Sequence, residues 1–394
     1  MIYSITASKD ATLYEKVEEG IYSSSMNTGI DEVLNIDKVV SSSMGAGPWN
    51  SRIIIKFDIP DSVHSGSDSA NTFKNADGTL FSTPISSLKL YAIDKSTNHS
   101  HADDFAIQTL MVSQSWTEGH GRNSSVPISH DSGCSWKYSK GTIATTQWVN
   151  DLGIIQSGAS THSISGLTTP AQLYTQNTSN YDYEIDVSNF VSYFTNSAAT
   201  YGVSNGRVSN EGFLIKKKLS DELSAYPKGN LAFFSNNTHT IYQPRLEFKW
   251  DDSIFATGSL SELDTTDASS VFIYLKNNRG DYRYGEKVKF RIQGREKYPV
   301  KTYGNTSADL AVKYLPSGSA FYSVKDLKTG EDILPYDDNF TKISCDSKGN
   351  YFEMFTSNLA AERYYQIEIK LKASGSNSDI IGYYPIKDIF KVTR

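Results

Sequence analysis

The chain has 394 residues, a formal net charge of -6, and 12% aromatic side chains drawn from 25 Tyr, 18 Phe and 5 Trp. That length exceeds one ordinary core and predicts two or three domains. The charge is dispersed, with no basic run beyond Lys216-Lys217-Lys218, which excludes a phosphate-neutralising stripe and hence nucleic acid; mean hydropathy is -0.42, and no stretch nears the ~20 apolar residues of a membrane span.

Aromatic residues interleaved with Ser, Thr, Asn and Gly predict many short strands joined by polar loops. Met1-Ile2-Tyr3-Ser4-Ile5-Thr6 runs directly into a strand pattern, without the basic and apolar regions of a signal peptide. The expectation is synthesis in a cytoplasm without signal-peptide export. Ile53-Ile54-Ile55-Lys56-Phe57-Asp58-Ile59, closed by Pro60, reads as a buried sandwich strand. Ile85 to Ile93 repeats that pattern. Gly212-Phe213-Leu214-Ile215-Lys216, Leu231-Ala232-Phe233-Phe234 and Arg245-Leu246-Glu247-Phe248-Lys249-Trp250 add three more strands. Polar loops are expected over 61–84, 94–104, 117–133 and 153–181. Lys216-Lys217-Lys218, beside Asp221 and Glu222, is expected to be a solvated strand end.

Two segments carry a helical pattern. Thr146 to Leu152 predicts a short helix. Asp186 to Phe194 predicts a better one, capped by Asp186 or Ser188, with Val187, Phe190, Val191 and Phe194 on one face. Residues 253–270 are polar and acidic and read as a linker between a domain over 1–252 and another over 271–394. The second domain shows strand signals at 271–276, 286–293, 309–314, 320–325, 342–345, 350–355, 363–371 and 386–393. Turns are expected at Lys328-Thr329-Gly330 and Lys348-Gly349-Asn350. This spacing predicts an immunoglobulin-like sandwich.

A search for chemistry assigns no catalytic, cofactor or metal residue. His99, His101, Asp103 and Asp104 hold ligand-type side chains, but two histidines in a polar stretch read as a solvated loop. His120 and His130 are weaker still. The pairs Asp103/Asp104, Asp251/Asp252 and Asp337/Asp338 are adjacent on an extended chain and face opposite ways. No nucleophile elbow is present, and Gly119-His120-Gly121 lacks the strand and helix that make a phosphate loop. Cys134 and Cys345 lie far apart and read as two free thiols. Trp116, Trp136 and Trp148 are the remaining candidates for ligand or interface contacts. Aromatic faces stack on sugar rings, yet Trp is mostly buried, so the favoured reading is that they anchor the sandwich.

One further signal lies in the order of motifs. Lys9-Asp10-Ala11-Thr12-Leu13-Tyr14, Asn27-Thr28-Gly29 and Leu34-Asn35-Ile36 precede Arg52 to Ile59. Ile85 to Tyr91, Ser115-Trp116-Thr117-Glu118-Gly119 and Asn210 to Lys216 follow. Phe233-Phe234-Ser235 and Gln243-Pro244-Arg245-Leu246-Glu247-Phe248 complete the series. Across residues 9–250 this resembles the DNRLRE-type β-sandwich, a jelly-roll relative found in bacterial surface and polysaccharide-associated proteins and in phage virions. The sequence departs from that family at Ser135-Trp136, which stands beyond a longer loop, and by the insertion at 61–84. The C-terminal third resembles a domain of virion structural proteins of contractile-tailed cyanophages. The resemblance rests on Val271-Phe272-Ile273-Tyr274-Leu275, Gly294 to Pro299, Ile343 to Phe352, Glu362-Arg363-Tyr364-Tyr365 and the terminal Phe390 to Arg394.

Together these imply an all-β protein: a jelly-roll-like antiparallel β-sandwich followed by an immunoglobulin-like one. The expected role is that of a non-catalytic virion structural protein, contacting other virion proteins and further copies of itself in head, neck or tail. The alternative is an adhesin that binds host surface glycan.

Overall fold

The computed structural model describes residues 1–15, 26–40, 49–60, 85–93, 104–122, 133–141, 146–150, 152–162, 171–175, 181–195, 208–299, 311–373 and 381–394. The segment 61–84, His99, His101, Asp103 and His130 lie outside the described residues, as do parts of the other expected loops. The protein is an all-β sandwich fold. Among the described residues no helix is long and apolar enough to cross a membrane. The chain divides into two compact units, an N-terminal one of described residues within 5–60 and 85–247, and a C-terminal one of 1–4 and 248–394.

The N-terminal unit uses β1 (Ile2–Thr6), β2 (Lys9–Tyr14), β3 (Val33–Ile36), β4 (Lys38–Val39), β5 (Trp49–Lys56) and β6 (Ile85–Leu90). There follow β7 (Phe105–Met111), β8 (Ala171–Tyr174), β9 (Tyr183–Asp186), helix α1 (Ser188–Thr195), β10 (Phe213–Lys217), the short helix α2 (Leu219–Glu222), β11 (Leu231–Phe234) and β12 (Arg245–Lys249). One sheet has the order β2-β5-β10-β7-β8, with β4 also on β5. The other has the order β1-β12-β6-β9, and β1 and β12 give it Ile5–Thr6 and Arg245–Glu247 within this unit. Strands β11 and β3 form a small third sheet. The chain crosses repeatedly between the two larger sheets, from β5 to β6, β6 to β7, β8 to β9 and β9 to β10, as in a jelly roll.

Register assigns the faces of the larger sheet. Ile53 pairs with Ile215 and Ile55 with Phe213, which pairs with Met111 in turn, so these side chains share one face. That face turns to the opposing sheet: Thr109 and Tyr183 hydroxyls meet at 2.8 Å, and Phe57, Phe190 and Phe194 pack around Phe213. Helix α1 supplies Phe190 and Phe194 from the expected apolar stripe, and the Asp186 carboxylate accepts the Ser188 N–H at 2.8 Å as an N-terminal cap. The first predicted helix does not form. Gln147 bridges to Tyr138 and Val149 to Ile155, so this segment is extended. Strand β5 takes in Arg52 and ends at Lys56, short of the expected Ile59; Phe57 is buried, Asp58 exposed and Ile59 half-buried.

The C-terminal unit starts earlier than 271. Within the segment read as a linker, Phe255 bridges to Cys345, Leu263 and Thr265 are buried, and Ser261–Glu262 form β13. Next come β14 (Val271–Leu275), β15 (Asp281–Arg283), β16 (Lys287–Glu296), β17 (Lys313–Tyr314), β18 (Ala320–Asp326) and β19 (Asp332–Leu334). The last are β20 (Ser344–Asp346), β21 (Gly349–Phe355), β22 (Arg363–Lys372), β23 (Ile381–Pro385) and β24 (Phe390–Thr393). Two six-stranded sheets result, β13-β17-β16-β21-β20 with β14 on β16, and β15-β24-β22-β18-β19 with β23 on β22. Both contribute to one core around Phe290, Phe352, Tyr322, Ile367 and Phe390, in which Tyr322 and Phe352 stack at 4.0 Å. The predicted turn at Lys328-Thr329-Gly330 joins β18 to β19 with Gly330 at φ +75, and that at Lys348-Gly349-Asn350 joins β20 to β21.

Candidate interaction surface

The second face of the larger N-terminal sheet carries Ala11, Leu13, Ile54, Leu110 and Leu214, a second apolar surface behind the sandwich core. Val112, Trp116, Cys134, Trp136, Trp148 and Ala159 cover it, the three tryptophans packing there with Cys134 in a single cluster. Trp148 is wholly buried and donates its indole N–H to Ser135 O at 2.8 Å; Trp116 donates to Glu211 O at 2.9 Å. Satisfied indole donors and buried rings make this a structural layer. None of the three indoles offers a face to solvent, so an exposed stacking platform is not found at these residues.

Cations sit between this layer and the sheet. Lys9 lies over the Trp116 ring at 4.1 Å and donates to Trp116 O; the Arg52 guanidinium lies 4.7 Å from the Trp136 centroid. Arg52 Nη1 also donates to Ser157 O and Gly158 O, at 3.3 and 3.0 Å. Gly158 has φ +71, and a Cβ there would stand 2.8 Å from Arg52 Nη1 and 3.0 Å from the Trp136 ring, so only glycine fits this crossing.

The lysine triplet is corrected by the same geometry. Lys216 and Lys217 do end β10, but they are buried and only Lys218 is exposed, because that strand is central in its sheet, between β5 and β7. Adjacent residues of a strand face opposite ways. Lys216 points to the Trp-covered face and reaches Glu222 at 2.7 Å, and the same carboxylate takes Arg52 Nε at 2.8 Å and Nη2 at 2.9 Å. Lys217 points inward, 4.3 Å above the Phe105 ring, donating to Ile36 O and Gly229 O. Burial lowers the Lys217 amine to about 7, against a smaller opposing pull from Asp37. Lys38, also buried, donates to the carbonyls of Asp221 and Glu222.

This lattice anchors α2. Its first turn is tied to strand β7 on both sides, Lys218 N donating to Ala106 O at 2.7 Å and Ala106 N to the Asp221 carboxylate at 2.9 Å. Glu222 is thereby turned inward, and Leu219, Leu223 and Tyr226 are left 56%, 71% and 75% exposed. Leu173 of β8, paired with Ala106, is 61% exposed beside them. A second exposed apolar group is held by the same guanidinium through Ser157 and Gly158. There the Asn150 side chain accepts N–H groups from Leu152 and Ile154, closing a tight turn whose Leu152, Ile154 and Ile155 are 69%, 58% and 64% exposed. Contiguous exposed apolar side chains on a rigid base mark interaction surfaces. The sequence held one signal for this: Leu152-Gly153-Ile154-Ile155 is an apolar run inside an otherwise polar loop.

The other candidates take structural roles. Asp251 pairs with Lys342, Asp252 accepts the Met1 amine, Asp337 caps the turn at Asn339 and Phe340, and Asp338 meets Lys370 and Lys372. His120 is exposed, while Gly121 N–H donates to the Asn27 side chain. Both cysteines are buried and in no disulfide, and burial pushes the Cys134 thiol up to about 12. Asp10, buried on β2, accepts the Asn236 N–H at 2.6 Å; burial raises its carboxyl to about 7. Among the described residues no three His, Cys, Asp or Glu side chains converge as metal ligands.

No family model matches the chain, and no curated protein matches it. Among solved structures, a DUF4785 family protein from Legionella pneumophila is similar at 10% identity and a TM-score of 0.19, covering 99% of this chain and 66% of that one. A Salmonella alpha-2-macroglobulin reacted with methylamine is similar at 10% identity and a TM-score of 0.19, covering all of this chain and 26% of that one. The chain thus spans just under two thirds of the first and about a quarter of the second. Likenesses this weak carry no argument about fold or function.

Proposed function

We propose that the protein is a non-catalytic structural component of a protein assembly, and that it packs against neighbouring subunits through the apolar surface around α2. The observation that carries this reading is the pairing of that exposed surface with a buried ionic base. Exposed Leu and Ile side chains gain free energy by leaving water, about 25 cal/mol per Å². A base fixed by three charge-assisted bonds to Glu222 reduces the ordering cost of docking. The strongly perturbed groups Asp10, Lys217 and Cys134 are buried and bonded to main chain or packed in core, out of reach of a substrate. The sequence resemblance makes the assembly a phage virion and the partners other virion proteins or further copies of this chain. A glycan-binding role would need aromatics other than the three buried tryptophans. Peptide mass spectrometry of purified particles tests the proposal: the chain should appear in stoichiometric amount, and its absence would reject the virion role.

A further inference from the structure

A different surface, on the C-terminal unit, is built from main chain. Strand β14 pairs antiparallel with β16, from Val271 on Glu296 to Leu275 on Ile292, and no other strand pairs with it among the described residues. It is therefore a free edge of its sheet. Two bonds fix which of its groups face outward. Lys297 N–H donates to Ser270 O at 2.7 Å and Lys276 N–H to Arg291 O at 2.9 Å, so the even-numbered residues direct their N–H and C=O groups at β16. In an antiparallel ladder these alternate with residues whose groups point the other way. Val271, Ile273 and Leu275 thus turn N–H and C=O groups to the open side, with no partner for them among the described residues, while their side chains enter the core. Phe272, 42% exposed, and Tyr274 lie on the outer face. The Arg295 guanidinium 4.7 Å from the Phe272 ring, and the Tyr274 hydroxyl donating to Gln293 Oε1 at 2.7 Å, hold both rings in place.

An open edge is a template for another strand, and proteins blunt such edges with charge, proline, bulges or a covering segment. The other edges of this unit's two sheets are blunted in these ways. Strand β20 is covered, Cys345 N–H donating to Ile254 O at 2.8 Å and Ala256 N–H to Cys345 O at 2.9 Å. Strand β23 ends on Pro385, and β19 carries Asp332 beside a bulge at Val324/Lys325. Strand β15 is three residues long with Asp281 and Arg283 at its ends, and β13 is only two residues long. By contrast β14 is five residues in regular register, without charge, proline, glycine or bulge.

We propose that β14 pairs antiparallel with β14 of a second copy of this chain, about a two-fold axis at Ile273, joining two six-stranded sheets into one. The occupant follows from the edge itself. Val-Phe-Ile-Tyr-Leu has the same pattern read in either direction, so it is its own complement, as a closed two-fold interface requires. Across the axis Ile273 meets its own counterpart, Val271 meets Leu275, and the outward N–H groups of each copy meet the outward C=O groups of the other. Phe272 meets Tyr274 at the positions between those bonds, where cross-strand side chains approach most closely. Ser270 then faces Lys276, so no like charges oppose. This inference does not depend on the role of the α2 surface. Sedimentation velocity and amide exchange of the intact chain test it. A dimer should form by about 100 µM, and exchange at Val271, Ile273 and Leu275 should slow as it forms. Phe272→Lys with Tyr274→Lys sets like charges opposite one another and should weaken the dimer at least about tenfold, as should Phe272→Glu with Tyr274→Glu. Mixing these two double variants should restore the dimer, which a folding defect would not do. A chain that stays monomeric at about 100 µM, exchange at the three residues that does not change with concentration, or a dimer indifferent to both double variants would each overturn the proposal.

Discussion

Replacing Glu222 by Ala removes the one carboxylate that Arg52 and Lys216 share. Their three contacts to it lie at 2.7 to 2.9 Å, and the side chains of Arg52, Lys216 and Glu222 are only 15%, 8% and 3% exposed. Breaking a buried pair from one side strands the remaining charges, which costs about 3–5 kcal/mol. The Arg52→Met, Glu222→Leu double variant removes both principal charges, so it should cost less than the sum of the two single changes, by about 1–3 kcal/mol. Urea unfolding of the intact chain, read by tryptophan emission, reports on this directly because Arg52 stacks on Trp136. Helix α2 should loosen as well, with faster amide exchange at Leu223. If Glu222→Ala stays within about 0.5 kcal/mol of the parent, the ionic base does not hold α2 and the reasoning fails.

Three further outcomes follow from the same geometry. Trp148→Ala should destabilise the N-terminal unit by about 3–5 kcal/mol in the same assay, since the ring is wholly buried and its N–H is bonded; a loss under about 1 kcal/mol would mean that the Trp layer is not a core. Gly158→Ala, at φ +71 and against Trp136, should cost about 1–3 kcal/mol and red-shift the emission; an unchanged spectrum and midpoint would contradict the crossing described. The Asp10 carboxyl is raised from 3.8 to about 7 in the folded chain, so the stability it contributes is complete below pH 4 and is lost as pH rises through 7. At about 1.4 kcal/mol for each tenfold change in proton affinity, Asp10→Asn should therefore be roughly neutral at pH 4 and stabilising by about 2–4 kcal/mol at pH 8; a difference that does not vary with pH would refute this.

The strands with continuous or alternating apolar residues, β5, β6, β10, β11 and β12, were legible because each buries side chains in a local pattern. Helix α1 was legible from its apolar stripe. Strand β7 carries the same alternation, with Phe105, Ile107, Thr109 and Met111 buried between the half-buried Ala106, Gln108 and Leu110. Residues 146–150 show the limit of local reasoning, since Gln147 and Val149 bridge to partners on neighbouring loop segments and so stay extended despite a helical pattern. The buried lysines mark the larger gap. Whether Lys216 meets water depends on β10 lying inside its sheet and on α2 folding Glu222 back, and neither is encoded in a window around the triplet. The covering of the sheet by a tryptophan-bearing layer is likewise a long-range event, which brings Trp148 into one cluster with Leu214 and Ala11.

The most direct measurement is a cryo-EM map of the purified assembly containing this chain. The account predicts that Leu219, Leu223, Tyr226 and the turn bearing Leu152, Ile154 and Ile155 lie against another subunit, with Arg52, Lys216 and Glu222 intact beneath them. A map in which those side chains face solvent while the chain is held through other surfaces would contradict it.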